Sequence, residues 1–414
     1  MKRRSRGLIA GALVAASLAF MVVPAHADNV RDAEYWLDQY GIRAAWNTTR
    51  GAGVTIAVID TGVDGSVAEL QGAVISGADF SGLGASDGQT PVGPVDERDH
   101  GTMVSSLAAG RGTAGDGGVI GSAPAATILP ISIGFGEGST TSDDQIAAAV
   151  RYATDAGADV INMSLTRNTL EWPTSWDDAF LYAMDHDVVI VAAAGNRGSG
   201  TTQVGAPATM PGVLTVAGVD SNAEASFDAS AQGITIGVSA PSEDLVGAVP
   251  GGGHVLWNGT SGATPIVAGI VALVRAAHPD LDAANVIERI VATARDSGTP
   301  GADPIYGFGL VDAAAAVNAT VPLVTNNPMG DLAEWIKVYR RAVSTPVPVP
   351  TSTGTATPEP IAAGPMNPLG TVLPTVNLLR NVGVPFALFL LFVGLVALLV
   401  TRAVRRVRAA RRTG

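Results

Sequence analysis

The sequence predicts an α/β protein with a doubly wound, mostly parallel central sheet and helices on both faces, followed by one C-terminal transmembrane helix. Three observations carry this expectation. Short, continuously apolar runs, Val54–Asp60, Ala126–Ile133, Asp159–Leu165 and Val188–Asn196, alternate with longer Ala-rich or amphipathic segments. Strands of that composition are buried on both faces, as in parallel sheets covered by crossover helices. The chain has 414 residues, of which 47% are hydrophobic, ample for a large core. Finally, Val382–Thr401 is uncharged and long enough to cross a bilayer.

The two ends read as targeting and anchoring segments. Residues 1–27 have the form of a secretory signal peptide: Lys2, Arg3, Arg4 and Arg6, an apolar run from Leu8 to Val23, and Ala25-His26-Ala27 as a cleavage site. Residues 381–401 form the predicted membrane helix. Residues 402–414 carry Arg402, Arg405, Arg406, Arg408, Arg411 and Arg412, which the positive-inside rule assigns to the cytoplasm. The protein is thereby expected at the cell membrane as a single-pass chain, with its bulk extracellular. Between bulk and span, residues 342–380 interleave proline with Thr, Ser and Gly, a composition that cannot bury a core and serves as a semi-extended spacer.

Residues 28–340 contain 36 Asp/Glu against 13 Lys/Arg, an acidic balance that argues against nucleic acid as a partner. There is no cysteine, which excludes thiol nucleophiles, cysteine-bound metals and disulfides.

In chain order, residues 28–50 are polar and aromatic (Tyr35, Trp36, Leu37, Tyr40, Ile42, Trp46) and predict a short helical arm on the domain surface. The main domain is expected over residues 51–341. Its first strand, Val54–Asp60, delivers Asp60 to a strand end, where open parallel sheets collect catalytic groups. The acid- and glycine-rich loop 81–99 has no hydrophobic period and leads to His100-Gly101-Thr102, with a small-residue helix over Met103–Ala109. Helices are expected at Ser142–Ala156 and Trp176–Asp185, and further strands at Val213–Val219 and Ile234–Ser239. Gly259-Thr260-Ser261-Gly262-Ala263-Thr264-Pro265 then opens a helix apolar on nearly every side, with Pro265 suited to its first turn. Helices near Ala283–Ala294 and Val311–Val317 close the domain.

Ser261, near the positive end of a buried helix, is suited to the formation of an anion beside it. A serine nucleophile needs a base, and the base needs an orienting acid. Of the histidines beyond the signal segment, His186 lies between Asp185 and Asp187, His254 follows a glycine run and His278 precedes a proline. His100 alone is followed by Gly-Thr and a small-residue helix able to pack closely.

An Asp at a strand end, then His-Gly-Thr, a strand ending Ala-Gly-Asn, and Gly-Thr-Ser before a buried helix resemble the subtilisin-like serine proteases, the subtilases (peptidase S8). The matching stretches are Val58–Gly62, His100–Thr102, Val160–Leu165, Ala193–Asn196 and Gly259–Pro265, and the resemblance spans residues 54 to about 317. It implies a subtilisin-like fold and a serine endopeptidase. Ser261 would be the nucleophile, His100 the base and Asp60 the orienting acid, with Asn196 joining the Ser261 N–H in the oxyanion hole. Ser164, Leu165 and Thr166, with Ala193, Ala194 and Gly195, would bind an extended peptide by strand-like hydrogen bonds. No cofactor is required. A structural calcium is common in the wider family, and its ligands would come from the Gly112–Gly118 loop with Asp116, or from Asp96, Glu97 and Asp99.

Three departures stand out. Thr166 replaces a glycine and is expected to narrow the first pocket. Met103 replaces a histidine, and Gly262 replaces a larger residue, which is expected to leave the loop beside Ser261 less constrained. The order of signal peptide, aromatic arm, peptidase domain, Pro-rich spacer, single span and arginine tail resembles the mycosins, membrane-anchored subtilases associated with type VII secretion. That resemblance implies processing of secreted proteins and contact with secretion-complex subunits. It also raises an alternative, a structural subunit of the secretion complex in which proteolysis is dispensable.

Overall fold

The computed structural model describes residues 28–340 apart from 96, 115, 116 and 139. The predicted signal peptide, spacer, membrane helix and arginine tail lie outside the described residues. Three short helices, α1 (Asp28–Ala33), α2 (Trp36–Gln39) and α3 (Ile42–Ala45), precede β1 (Thr55–Asp60). There follow β2 (Ala78–Asp79), α4 (His100–Ala109), β3 (Arg111–Thr113), β4 (Gly117–Ile120) and β5 (Thr127–Ser132). Next come α5 (Ser142–Asp155), β6 (Val160–Met163), α6 (Thr174–Asp185), β7 (Val189–Ala193), β8 (Leu214–Val219) and β9 (Ile236–Pro241). The hairpin β10 (Leu245–Ala248) and β11 (His254–Trp257) leads to α7 (Thr260–Ala277), α8 (Ala283–Ala292), α9 (Ala313–Asn318) and α10 (Leu332–Tyr339).

The main sheet has 7 strands in the order β2-β5-β1-β6-β7-β8-β9, all parallel. From β1 the chain builds outward on one side through β5 and on the other through β6. That reversal is a topological switch point, and a crevice opens at the carboxyl ends of the strands beside it. Along β1 the side chains alternate between two core layers. Ile56 and Val58 join Leu107, Ile266 and Val286 of α4, α7 and α8, while Ala57 and Ile59 join Ile146, Trp176 and Phe180 of α5 and α6. The doubly wound expectation thus holds, with strand ends within about three residues of those read from the apolar runs. Ile234 falls outside its strand: it precedes β9 by two residues and is 93% exposed.

Helix α7 runs through the middle of the first layer, with every residue from Ile266 to Val274 buried. Among the described residues it is the one helix long and apolar enough to cross a membrane, but 83% of that stretch is buried in the protein, as in a core helix. It starts at Thr260, so Pro265 lies inside the helix rather than in its first turn. Pro265 therefore removes one helical hydrogen bond, that to the Ser261 carbonyl.

The N-terminal arm is core rather than surface. Trp36, Leu37, Tyr40 and Ile42 are fully buried and join the same layer as α7. The Tyr35 hydroxyl donates to the Glu243 carbonyl at 2.9 Å, Trp46 Nε1 to the Ser122 carbonyl at 2.8 Å, and the Ala313 N–H to the Tyr40 carbonyl at 2.9 Å. Helices this short are not stable alone, and the arm is held by its aromatic side chains and these long-range bonds.

Candidate active site

Asp60 ends β1 and is fully buried, its Oδ1 accepting the Thr61 N–H at 2.7 Å. His100 is the first residue of α4, and its Nδ1 lies 2.8 and 3.0 Å from the two Asp60 carboxylate oxygens. An ionised carboxylate only accepts, so Nδ1 carries the proton and Nε2 is left as the basic nitrogen. Thr61 clamps the turn that delivers the histidine: its Oγ1 donates to the Arg98 carbonyl and accepts the Gly101 N–H, each at 2.9 Å. A Cβ at Gly101 would stand 2.2 Å from the Gly62 carbonyl oxygen, so this close approach of the two segments admits only glycine. Burial acts to lower the His100 pKa, but the charge and hydrogen bond of Asp60 outweigh it. Glu97 adds in the same sense, so His100 stands above its ordinary value.

Ser261 lies in the first turn of α7, where backbone N–H groups have no intrahelical acceptor. Asn196 faces this turn from the loop after β7. Its Oδ1 accepts both the N–H and the hydroxyl of Thr260, each at 2.8 Å, which leaves Nδ2 as the free donor end. The Thr260 hydroxyl in turn accepts the Gly195 N–H at 3.1 Å. Gly259 has φ +142°, and a Cβ there would come within 2.9 Å of Asn196 Nδ2. The Ser261 hydroxyl donates to the Ser164 carbonyl at 3.1 Å, and among the described residues no hydrogen bond joins it to His100. The Ser164 hydroxyl donates back to the Ser261 carbonyl at 2.9 Å.

These groups border one cleft of about 430 Å³, lined by His100, Ser164, Leu165, Thr166, Ala193, Gly195, Asn196 and Ser261. Ala194 does not line it: this residue is fully buried in the second core layer, because the extended chain sends alternate side chains to opposite sides. Thr166 lines it, its Cγ2 standing 3.1 Å from where a Gly195 Cβ would be. Phe135, Ser199 and Thr61 also line it and escaped the sequence reading. Phe135 follows β5, and the rule that ligands gather beyond strand carboxyl ends was the available signal.

Trp257 escaped it too. Its indole meets the His100 ring nearly edge-on, with centroids 5.6 Å apart and planes at 78°. The expected looseness beside Ser261 is not found. Gly262 is buried, and a Cβ there would lie 2.4 Å from Leu245 Cδ1 and 3.3 Å from the Trp257 ring. The hairpin β10–β11 fills the space that a larger residue at position 262 would occupy.

The other histidines serve structure: His254 Nε2 pairs with Glu69 Oε1 at 2.6 Å, His186 Nδ1 with the Tyr182 carbonyl at 2.8 Å, and His278 Nε2 with the Val317 carbonyl at 2.7 Å. Of the acids suggested for calcium, Glu97 and Asp99 border the cleft, while Asp96 and Asp116 lie outside the described residues. Among the described residues no group of three or more His, Asp or Glu is gathered to hold a metal ion.

An Asp–His pair, a helix-borne serine and an amide donor around one crevice of a parallel sheet define the class of serine hydrolases with an α/β fold. The chain belongs to the Subtilase family, whose sequence model (Peptidase S8) matches residues 51–309. It is 34% identical to Mycosin-1 of Mycolicibacterium smegmatis over 71% of this chain and 74% of that protein. It is 34% identical to fervidolysin of Fervidobacterium pennivorans over 70% of this chain, and 41% identical to a thermophilic serine proteinase of Bacillus sp. strain AK1 over 55%. The matches span only 44% and 54% of those two relatives' own lengths. Among solved structures, MycP1 from the ESX-1 type VII secretion system superposes with a TM-score of 0.60 at 32% identity, covering 70% of this chain and 86% of that one. The periplasmic assembly of the ESX-5 inner membrane complex contains a chain that superposes with a TM-score of 0.59 at 27% identity, over 71% and 86% respectively.

Proposed function

We propose that the protein is a membrane-anchored, extracellular serine endopeptidase that processes secreted proteins of a type VII system. The observation that carries the catalytic reading is the meeting of His100, Asn196 and Ser261 in one cleft of a subtilase fold, with buried Asp60 bonded to His100 from behind. An extended peptide would lie along Ser164–Thr166 and the Ala193–Gly195 segment. The Ser261 hydroxyl then turns about χ1 from the Ser164 carbonyl to His100 Nε2, which takes its proton as the oxygen attacks the scissile carbonyl. The Ser261 N–H and Asn196 Nδ2 hold the oxyanion, and buried Asp60 stabilises the imidazolium. The imidazolium next protonates the leaving amine, and water hydrolyses the acyl-enzyme by the same steps.

Anchoring rests on the uncharged run Val382–Thr401 and the arginines behind it, and secretion-system membership on the mycosin likeness. The likeness to a chain of the ESX-5 periplasmic assembly favours a second role, as a subunit of such a complex independent of proteolysis. One substitution separates the two. Ser261→Ala should abolish fluorophosphonate labelling and cleavage of a peptide library; wild-type protein that resists labelling and cleaves nothing would overturn the peptidase reading. Secretion that persists in a Ser261→Ala strain but fails in a deletion strain would support the subunit role, and loss in both would refute it.

A further inference from the structure

Ser164 belongs to the edge that would hold the substrate, but its side chain is directed at the enzyme. In an α-helix the Ser261 carbonyl would accept the N–H of residue 265, and that residue is a proline with no N–H to give. The Ser164 hydroxyl supplies the missing donor at 2.9 Å. Behind it, Asn162 Nδ2 donates to Ser164 Oγ at 3.0 Å, which leaves the hydroxyl proton to point at the Ser261 carbonyl. Asn162 is fully buried in β6 between Ile161 and Met163, and its Oδ1 has no partner among the described residues. A buried amide with one end unpaired costs the fold stability. The hydrogen bond to Ser164 is the one its side chain makes among the described residues.

We propose that Ser164, backed by Asn162, is a positioning residue for the nucleophile: its hydroxyl replaces the helical bond that Pro265 deletes and fixes Ser261 against the strand edge that carries the peptide. This rests on the peptidase reading. Residues 164 and 261 are 97 positions apart in the chain, and the bond from the Ser164 hydroxyl to the Ser261 carbonyl, kept when the Ser261 hydroxyl turns to His100, ties the substrate edge to the residue that carries the attacking oxygen. Misplacement by about 1 Å can cost roughly 100-fold in rate, so such a tie acts on turnover more than on binding.

The experiment uses the full-length protein, with rates expressed per active site titrated by fluorophosphonate so that unfolded molecules drop out. Ser164→Ala keeps the carbonyl and removes only the hydroxyl. It should lower kcat about tenfold, the effect of one lost hydrogen bond, with KM within about twofold. Adding Pro265→Ala to that variant returns an N–H to position 265 and should recover most of the loss. A merely structural hydroxyl would lower Tm and the titre while leaving kcat per site unchanged. An unchanged kcat, a loss confined to KM, or no recovery in the double variant would overturn the proposal. Wild-type protein that neither labels nor cleaves would instead remove the peptidase reading, and the proposal falls with it.

Discussion

Gly262 offers a sharp test of how the nucleophile's helix is packed. A Cβ at this position would stand 2.4 Å from Leu245 Cδ1 and 3.3 Å from the Trp257 ring, whereas comfortable carbon contacts begin at about 3.5 Å. Leu245 is fully buried and must shift by about 1 Å to admit the methyl. In Gly262→Ala, helix propensity returns about 1 kcal/mol, and overpacking costs about 1–3 kcal/mol. The net expectation is a loss of about 1 kcal/mol, or roughly 2–4 °C in Tm for a domain of this size. Leu245→Ala alone should cost about 2–5 kcal/mol through the cavity it leaves. Combined, the two changes should cost less than their sum by at least about 1 kcal/mol, because the new methyl fills part of that cavity. Thermal unfolding of the four proteins in a Ser261→Ala background, which prevents self-digestion, measures the coupling. A stabilised Gly262→Ala, with no coupling to Leu245→Ala, would refute the argument that the β10–β11 hairpin occupies this space.

Further outcomes follow from the site and the arm. Asn196→Ala should lower kcat about 100- to 1,000-fold with little change in KM, as steady-state peptide hydrolysis would register. With neutral His100 as the proposed base, burial lowers its pKa but the Asp60 charge outweighs it and holds it above the ordinary value, so activity should rise with pH along a limb displaced upward. Asp60→Asn should move that limb to lower pH and cut kcat by about 10⁴, read from pH–rate profiles. Burial pushes the Glu34 carboxyl up to about 8 against the opposing Ile120 N–H and Arg31 charge, so the folded state holds a proton that the unfolded state has released. Stability should therefore be greatest below the unfolded pKa near 4.5 and decline as pH rises towards about 8. The slope is at most about 1.4 kcal/mol per pH unit, and urea unfolding of Glu34→Gln in the Ser261→Ala background should show it flattened.

The sheet was legible because its strands are buried on both faces: Val58, Ile161 and Val191 are apolar whichever way they point, and only their neighbours' types set the ends. The groups proposed to react could be picked out because the chemistry demands one acid, one base and one hydroxyl, and the chain offers few histidines. Their supports were not. That Pro265 sits inside α7 depends on where the helix begins, and Thr260 and Ser261 are residues that also end loops. That Trp257 stands over Gly262 depends on a hairpin packing back on the helix that follows it, and no local periodicity records such a contact. Ala194 was assigned to the cleft as part of a run of similar residues, although an extended chain exposes only alternate members of such a run. The arm was misplaced for a related reason: its aromatic residues announce burial, while the surface that receives them lies far along the chain, 76 positions on at Ser122 and 208 at Glu243.

That last feature bears on how the domain comes into being. Tyr40 accepts the N–H of Ala313, and Thr48 bonds to Asn318 across 270 positions of chain. Residues near the start of the described domain are thus completed by residues near its end, with the segment holding Ser261 lying between them in the sequence. Such long loops close slowly, so folding should be late and largely all-or-none. Until α9 has been synthesised, Asp60 and His100 are present but the core around Ser261 is incomplete. A domain closed on itself in this way has little opportunity to act before it is whole.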